Sequence, residues 1–147
     1  MAEQLFYEDV EVDSDIPPYV KYPTKRQLVK WAVASGDLNE LHYDKDFAEN
    51  LGFPDVILHG RLKAAFLAQL MTNWIGDTGK LKKLACNYRG NDMPGDDIIC
   101  KGKVIKKYVE GEEYMVECKI WTEDKKGNKT TPGTAVVILP SKIKSSK

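Results

Sequence analysis

Cysteine is scarce in this chain and follows no pattern. There are three, Cys86, Cys100 and Cys118, and no C-x-x-C pair. An odd count without that pair excludes a disulfide framework and reads as reduced, structural thiols, which suits a cytoplasmic protein. Histidine is scarcer still, with two residues, His42 and His59. They do not form an i, i+4 pair on a helix, so no dedicated metal site is expected from His42, Asp44 and His59. An excess of either charge is also lacking. Lys+Arg and Asp+Glu both number 22, and this balance argues against nucleic acid or an anionic membrane as the main partner. No apolar run approaches the roughly 20 residues of a membrane span. The segment from Met1 to Asp15 is acidic and has no apolar stretch of the kind a signal peptide needs.

What is present fits one domain over residues 1–147 with a frayed tail from about 141, where Lys142, Lys144 and Lys147 alternate with serines. Residues 1–20 read as an irregular arm ending in Pro17-Pro18, with a short strand near Val10 to Val12. Thr24, with Gln27 three residues on, starts a helix as in a capping box. Leu28, Trp31 and Ala32 recur at helical spacing, and Gly36 ends the run. A second short helix begins at Asp44, an N-cap, and closes at Leu51-Gly52. The longest helical pattern runs from Gly60 to Ile75. Leu62, Ala65, Phe66, Gln69, Leu70 and Trp74 form its stripe, and Ala64, Leu67, Ala68 and Met71 fill much of the other side, so the helix is expected to be buried.

The remainder alternates as strands do: Leu84 to Tyr88, Ile98 to Val109, Tyr114 to Ile120, and Thr131 to Leu139. Turns at Glu110-Gly111 and Lys126-Gly127-Asn128 make these strands antiparallel. Pro132 marks an edge or a bulge, since it cannot donate to a ladder. The class is α+β, an antiparallel sheet with one long buried helix.

Between Gly36 and Asp44 the chain has no period of either kind. Asp37 and His42 lie in this stretch, where a loop can turn both toward one point. A carboxylate beside an imidazole is a workable acid/base pair able to hold one water. The same residues also suit a turn and a structural histidine. Gly60 follows His59 at the start of the long helix, where the first amides lack intrahelical partners and carry the positive end of the dipole. Such an amide suits a developing oxyanion. Gly60 equally suits a tight entry into the helix, and the residues alone leave these alternatives open. Cys86, Cys100 and Cys118 fit strand positions, so a cysteine nucleophile is not expected.

Ala34-Ser35-Gly36-Asp37-Leu38-Asn39-Glu40-Leu41-His42-Tyr43-Asp44, with Gly52-Phe53-Pro54-Asp55-Val56-Ile57 and His59-Gly60, resembles the MaoC-like (R)-specific enoyl-CoA hydratases and their hydratase 2 motif. Asn73-Trp74-Ile75-Gly76-Asp77 resembles the small dehydratase subunits of mycobacterial fatty-acid elongation. The resemblance implies a single hot-dog fold, a sheet wrapped around its central helix. It implies an enzyme that adds water reversibly, with syn geometry, to a trans-2-enoyl-CoA. Asp37 and His42 would be the acid/base pair, Gly60 the oxyanion donor, and Asn39, which positions the overhang, and His59 groups around the substrate; Arg61 is placed there by its own position and not by the resemblance. No metal or redox cofactor is implied, and coenzyme A enters as part of the acyl-CoA thioester substrate. A homodimer is implied first, then a heterodimer with a second hot-dog subunit. The alternative from another class is a non-catalytic acyl-thioester-binding hot-dog subunit of a heteromeric dehydratase. A hot-dog thioesterase is disfavoured, because it uses a carboxylate on the central helix and none occurs between Gly60 and Ile75.

Two features depart from the family pattern. Arg61 stands where an apolar residue is usual and opposes the helix dipole, which reads as a contact to a phosphate, a carboxylate or a second subunit. Asn87-Tyr88-Arg89-Gly90 ends the first strand with a glycine, which alters the substrate end of the pocket.

Overall fold

The computed structural model describes residues 3–143. Three helices come early: α1 (Lys25–Ser35), α2 (Lys45–Asn50) and α3 (Gly60–Ile75). Five strands, β1 (Asp15–Lys21), β2 (Lys80–Cys86), β3 (Ile98–Glu110), β4 (Glu113–Glu123) and β5 (Lys129–Leu139), form one antiparallel sheet in the order β1-β3-β4-β5-β2. The sheet wraps α3, the hot-dog arrangement.

Local chemistry accounts for the helix limits. The Thr24 hydroxyl accepts from the Gln27 amide, and Gly36 takes φ 76°, the left-handed conformation that closes a helix. The Asp44 carboxylate accepts from the Phe47 amide and caps α2. On α3, Leu62, Phe66, Leu67, Leu70 and Met71 are buried against inward residues of the sheet that include Cys100, Val116, Cys118 and Val137. Removing a side chain such as Leu67 from this layer costs about 2–5 kcal/mol. Burial pushes the thiols of Cys100 and Cys118 up to about 12, which leaves both inert as nucleophiles.

Several sequence expectations are corrected. Gln69 lies outside the buried stripe: it is exposed, and its side-chain oxygen accepts from Lys21. No strand forms at Val10 to Val12; a 3₁₀ turn at Tyr7–Asp9 leads to a buried Val10. The first strand is instead Asp15–Lys21, running through Pro17-Pro18. It is an edge strand whose ladder with β3 shifts between Ile16 and Tyr19, so both prolines sit where no donor is needed. Gly102 faces Ile16 there, and a Cβ at Gly102 would fall 2.8 Å from the Ile16 side chain. The strand after α3 is Lys80–Cys86, not Leu84 to Tyr88. Its lysines obscured it, yet they suit an edge strand. Pro132 lies inside an interior strand but one residue beyond the β2 ladder, where its carbonyl accepts from the Asn87 amide. The chain also stays docked past residue 141: Ser141 bonds Glu8, and Lys142 pairs with Asp9. Residues 144–147, the rest of the expected frayed tail, lie outside the described residues.

Candidate active site

The stretch without period folds as an overhang between α1 and α2. The Asn39 side-chain oxygen accepts from the Leu41 amide and caps a 3₁₀ turn over Glu40–His42. The Asn39 amide in turn donates to Oδ1 of Asp37 at 3.4 Å, and the Asp37 amide donates to the Ser35 hydroxyl at 3.3 Å. These short-range bonds leave the other carboxylate oxygen, Oδ2, directed at His42.

His42 is fixed from its far side. Its Nδ1 lies 2.7 Å from the Ile57 carbonyl, which can only accept, so Nδ1 carries the proton. In the neutral ring Nε2 is therefore a bare acceptor. It faces Asp37 Oδ2 across 3.8 Å, with the Asp37 side chain 46% exposed and that of His42 12% exposed. Two acceptors at that separation do not bond each other. They bracket a position for a group with two protons to donate, open to solvent on the Asp37 side.

His59 stands behind this pair. Sequence reading placed it among the groups around a substrate; it is wholly buried instead. Its ring stacks on that of His42, with centroids 3.8 Å apart and planes 22° apart. Its Nε2 donates to the Asp37 carbonyl at 3.3 Å, and its Nδ1 is buried without a partner. Burial, then the neighbouring His42, hold the His59 pKa below the usual histidine value. One buried imidazole thus touches both residues of the pair, on the residue that immediately precedes Gly60.

Asp37, His42 and His59 bring ligand-type atoms within 4.8 Å of one another. The carboxylate of this cluster is Asp37, not Asp44, which caps α2.

Gly60 is the first residue of α3, so its amide has no intrahelical acceptor. The ring of Tyr88 packs over it: a Cβ at Gly60 would fall 2.9 Å from that ring. Tyr88 belongs to the segment just past β2, whose Arg89 and Gly90 amides both donate to the Thr130 carbonyl. Arg61 is exposed on the first turn, within electrostatic reach of the Tyr88 phenol. The buried cation of this helix is Lys63, two residues further on, paired at 3.0 Å with the buried Asp92. Sequence reading missed this pair. A lysine inside an otherwise apolar helix stripe was the available signal.

The fold is a hot-dog fold, and it sets a carboxylate and an imidazole, Asp37 and His42, in the overhang that precedes the N-terminus of its central helix. A family model described as a MaoC like domain matches residues 8–135, and the chain belongs to the MaoC-like dehydratase domain family. It is 31% identical over 98 residues to the peroxisomal enoyl-CoA hydratase 2 of Arabidopsis thaliana, a match covering 65% of this chain and 29% of that enzyme. The chain thus spans less than a third of the length of that relative. The R-hydratase PhaJ1 of Pseudomonas aeruginosa shares the fold with a TM-score of 0.86 at 23% identity, covering 96% of this chain and 89% of that one. A chain of the ChsH1-ChsH2 complex of Mycobacterium tuberculosis does so with a TM-score of 0.77 at 19% identity, covering 88% and 98%. No helix among the described residues is long and apolar enough to cross a membrane.

Proposed function

We propose that this chain catalyses reversible syn addition of water to trans-2-enoyl-CoA, giving (3R)-hydroxyacyl-CoA, or the reverse dehydration. The observation that carries this is the 3.8 Å gap between two oriented acceptors, His42 Nε2 and Asp37 Oδ2. A water seated to one side of that gap donates one hydrogen bond to each acceptor. Its oxygen adds to C3 of the enoyl group while a proton passes through the pair to C2, so one water is consumed and nothing else is released. Electron density moves to the thioester oxygen in that step. The Gly60 amide, at the positive end of α3, meets the charge there.

Asn39 holds the overhang in shape, His59 supports the pair from behind, and Arg61, exposed on the first turn of α3, meets the phosphates of coenzyme A. Membership of the MaoC-like family and the likeness to an enoyl-CoA hydratase support this assignment. No metal or redox cofactor is assigned. A homodimer is the first assembly proposed, and a heterodimer with a second hot-dog subunit the next, since one structural neighbour is a two-protein complex. Three unpaired cysteines fit a reducing cytoplasm. A binding-only subunit would have no use for an acid/base pair fixed by five hydrogen bonds.

The deciding experiment is hydration of crotonyl-CoA and of longer or bulkier enoyl-CoAs, followed by loss of the enoyl absorbance. Turnover yielding the 3R product is expected. A folded, pure chain that hydrates none of them removes the reading.

A further inference from the structure

Lys63 and Asp92 form a buried ion pair that the proposed reaction does not use. Lys63 is 2% exposed and Asp92 5%. Lys63 Nζ donates to Asp92 Oδ2 at 3.0 Å and to the Gly90 carbonyl at 2.7 Å. The Asp92 carbonyl accepts from the Leu58 amide at 2.8 Å.

Stability does not explain this pair. Desolvating both charges offsets most of their attraction, and apolar side chains of similar volume serve a core as well or better. The position is also unfavourable, since a cation in the first turn opposes the helix dipole. Such a pair persists where geometry matters more than stability.

The geometry here is specific. Asp92 grips the chain on both sides of Gly60: its carbonyl holds Leu58, two residues before, and its carboxylate holds Lys63, three after. The same lysine draws in the Gly90 carbonyl, which belongs to the segment carrying Tyr88. Tyr88 is the ring that lies on Gly60. Backbone 88–92 and the N-terminus of α3 are therefore fastened together around one glycine.

We propose that Lys63 and Asp92 are positioning residues that fix the direction of the Gly60 amide and hold the Tyr88 ring against it. This rests on the assignment of Gly60 as oxyanion donor. Neither residue touches substrate. Their effect falls on charge that exists only in the transition state, and so on kcat rather than KM.

The test replaces the pair with apolar residues, Lys63→Met with Asp92→Leu. The double variant is expected to keep its Tm while kcat falls about 10–100-fold with KM little changed, the scale of a small misplacement at a reacting centre. Amide exchange at Leu58 and Lys63, read by NMR without substrate, is expected to quicken about tenfold or more as the clamp opens. Should the double variant not fold, Asp92→Asn, which keeps shape and carbonyl, takes both readouts. An unchanged kcat in a folded variant overturns the inference, and so does unchanged exchange. If the wild-type chain hydrates no enoyl-CoA, the function falls, while the exchange measurement still decides the clamp.

Discussion

The imidazole of His59 lies flat against that of His42, 3.8 Å between centroids, and donates to the Asp37 carbonyl. The residue that precedes the helix is thus the back wall of the Asp37–His42 pair. This joins the two halves of the site, the overhang and the helix N-terminus, through one buried ring.

Asp37→Asn and His42→Gln are expected to lower kcat by about 10²–10⁴ each, the usual loss on removing a positioned acid/base group. Asp37 is half exposed, so its variant should fold with stability within about 0.5 kcal/mol of wild type. Steady-state kinetics beside thermal melts reads both. Wild-type-like rates in the folded variants would sink the mechanism.

Gly60→Ala is expected to lose activity and about 1–3 kcal/mol of stability, because the new methyl collides with Tyr88. Adding Tyr88→Ala should recover most of the stability. Melting curves for the single and double variants check this, and no recovery would mean that some other contact is at fault.

His59 makes stability depend on pH, with a definite sign. Its folded pKa is lowered by burial and by His42. Between that value and the ordinary histidine value near 6.5, the unfolded chain binds more protons than the folded one. Stability from this residue is therefore full above about pH 6.5 and lost as pH falls below it. Tm is expected to fall on the acid side of that value, read by thermal melts across pH. His59→Phe should flatten that limb; an equally steep acid limb in the variant would place the dependence elsewhere.

Arg61→Met is expected to raise KM for a CoA thioester about tenfold with kcat intact, and to leave the KM of a short pantetheine thioester alone. A lost phosphate contact removes binding that the ground and transition states share equally. An unchanged KM, or a change in mass on sedimentation, would move Arg61 to a different role.

Much of this was legible in the sequence, for local reasons. Thr24, Gly36 and Asp44 act within one turn of themselves, so the limits of α1 and α2 could be read. The overhang stood out because periodicity failed between two helices. What could not be read depends on distant partners. Lys63 and Asp92 are 29 residues apart, and although a lysine within an apolar helix stripe is a signal, nothing local says which carboxylate meets it. His59 meets His42 only because the Ile57 carbonyl and the Leu41 carbonyl tie the two segments side by side. β1 was hidden by Pro17-Pro18, which argue against a strand unless the strand is known to be an edge.

That edge has a further effect. Pro17 and Pro18 interrupt the ladder of β1 and remove two donors from the outer strand, so a foreign strand finds no regular template on that side. β2 is the sheet's other border. An assembly that joins sheets through β2 leaves only proline-blunted borders outside. Such a pairing would close at two copies rather than grow into a filament.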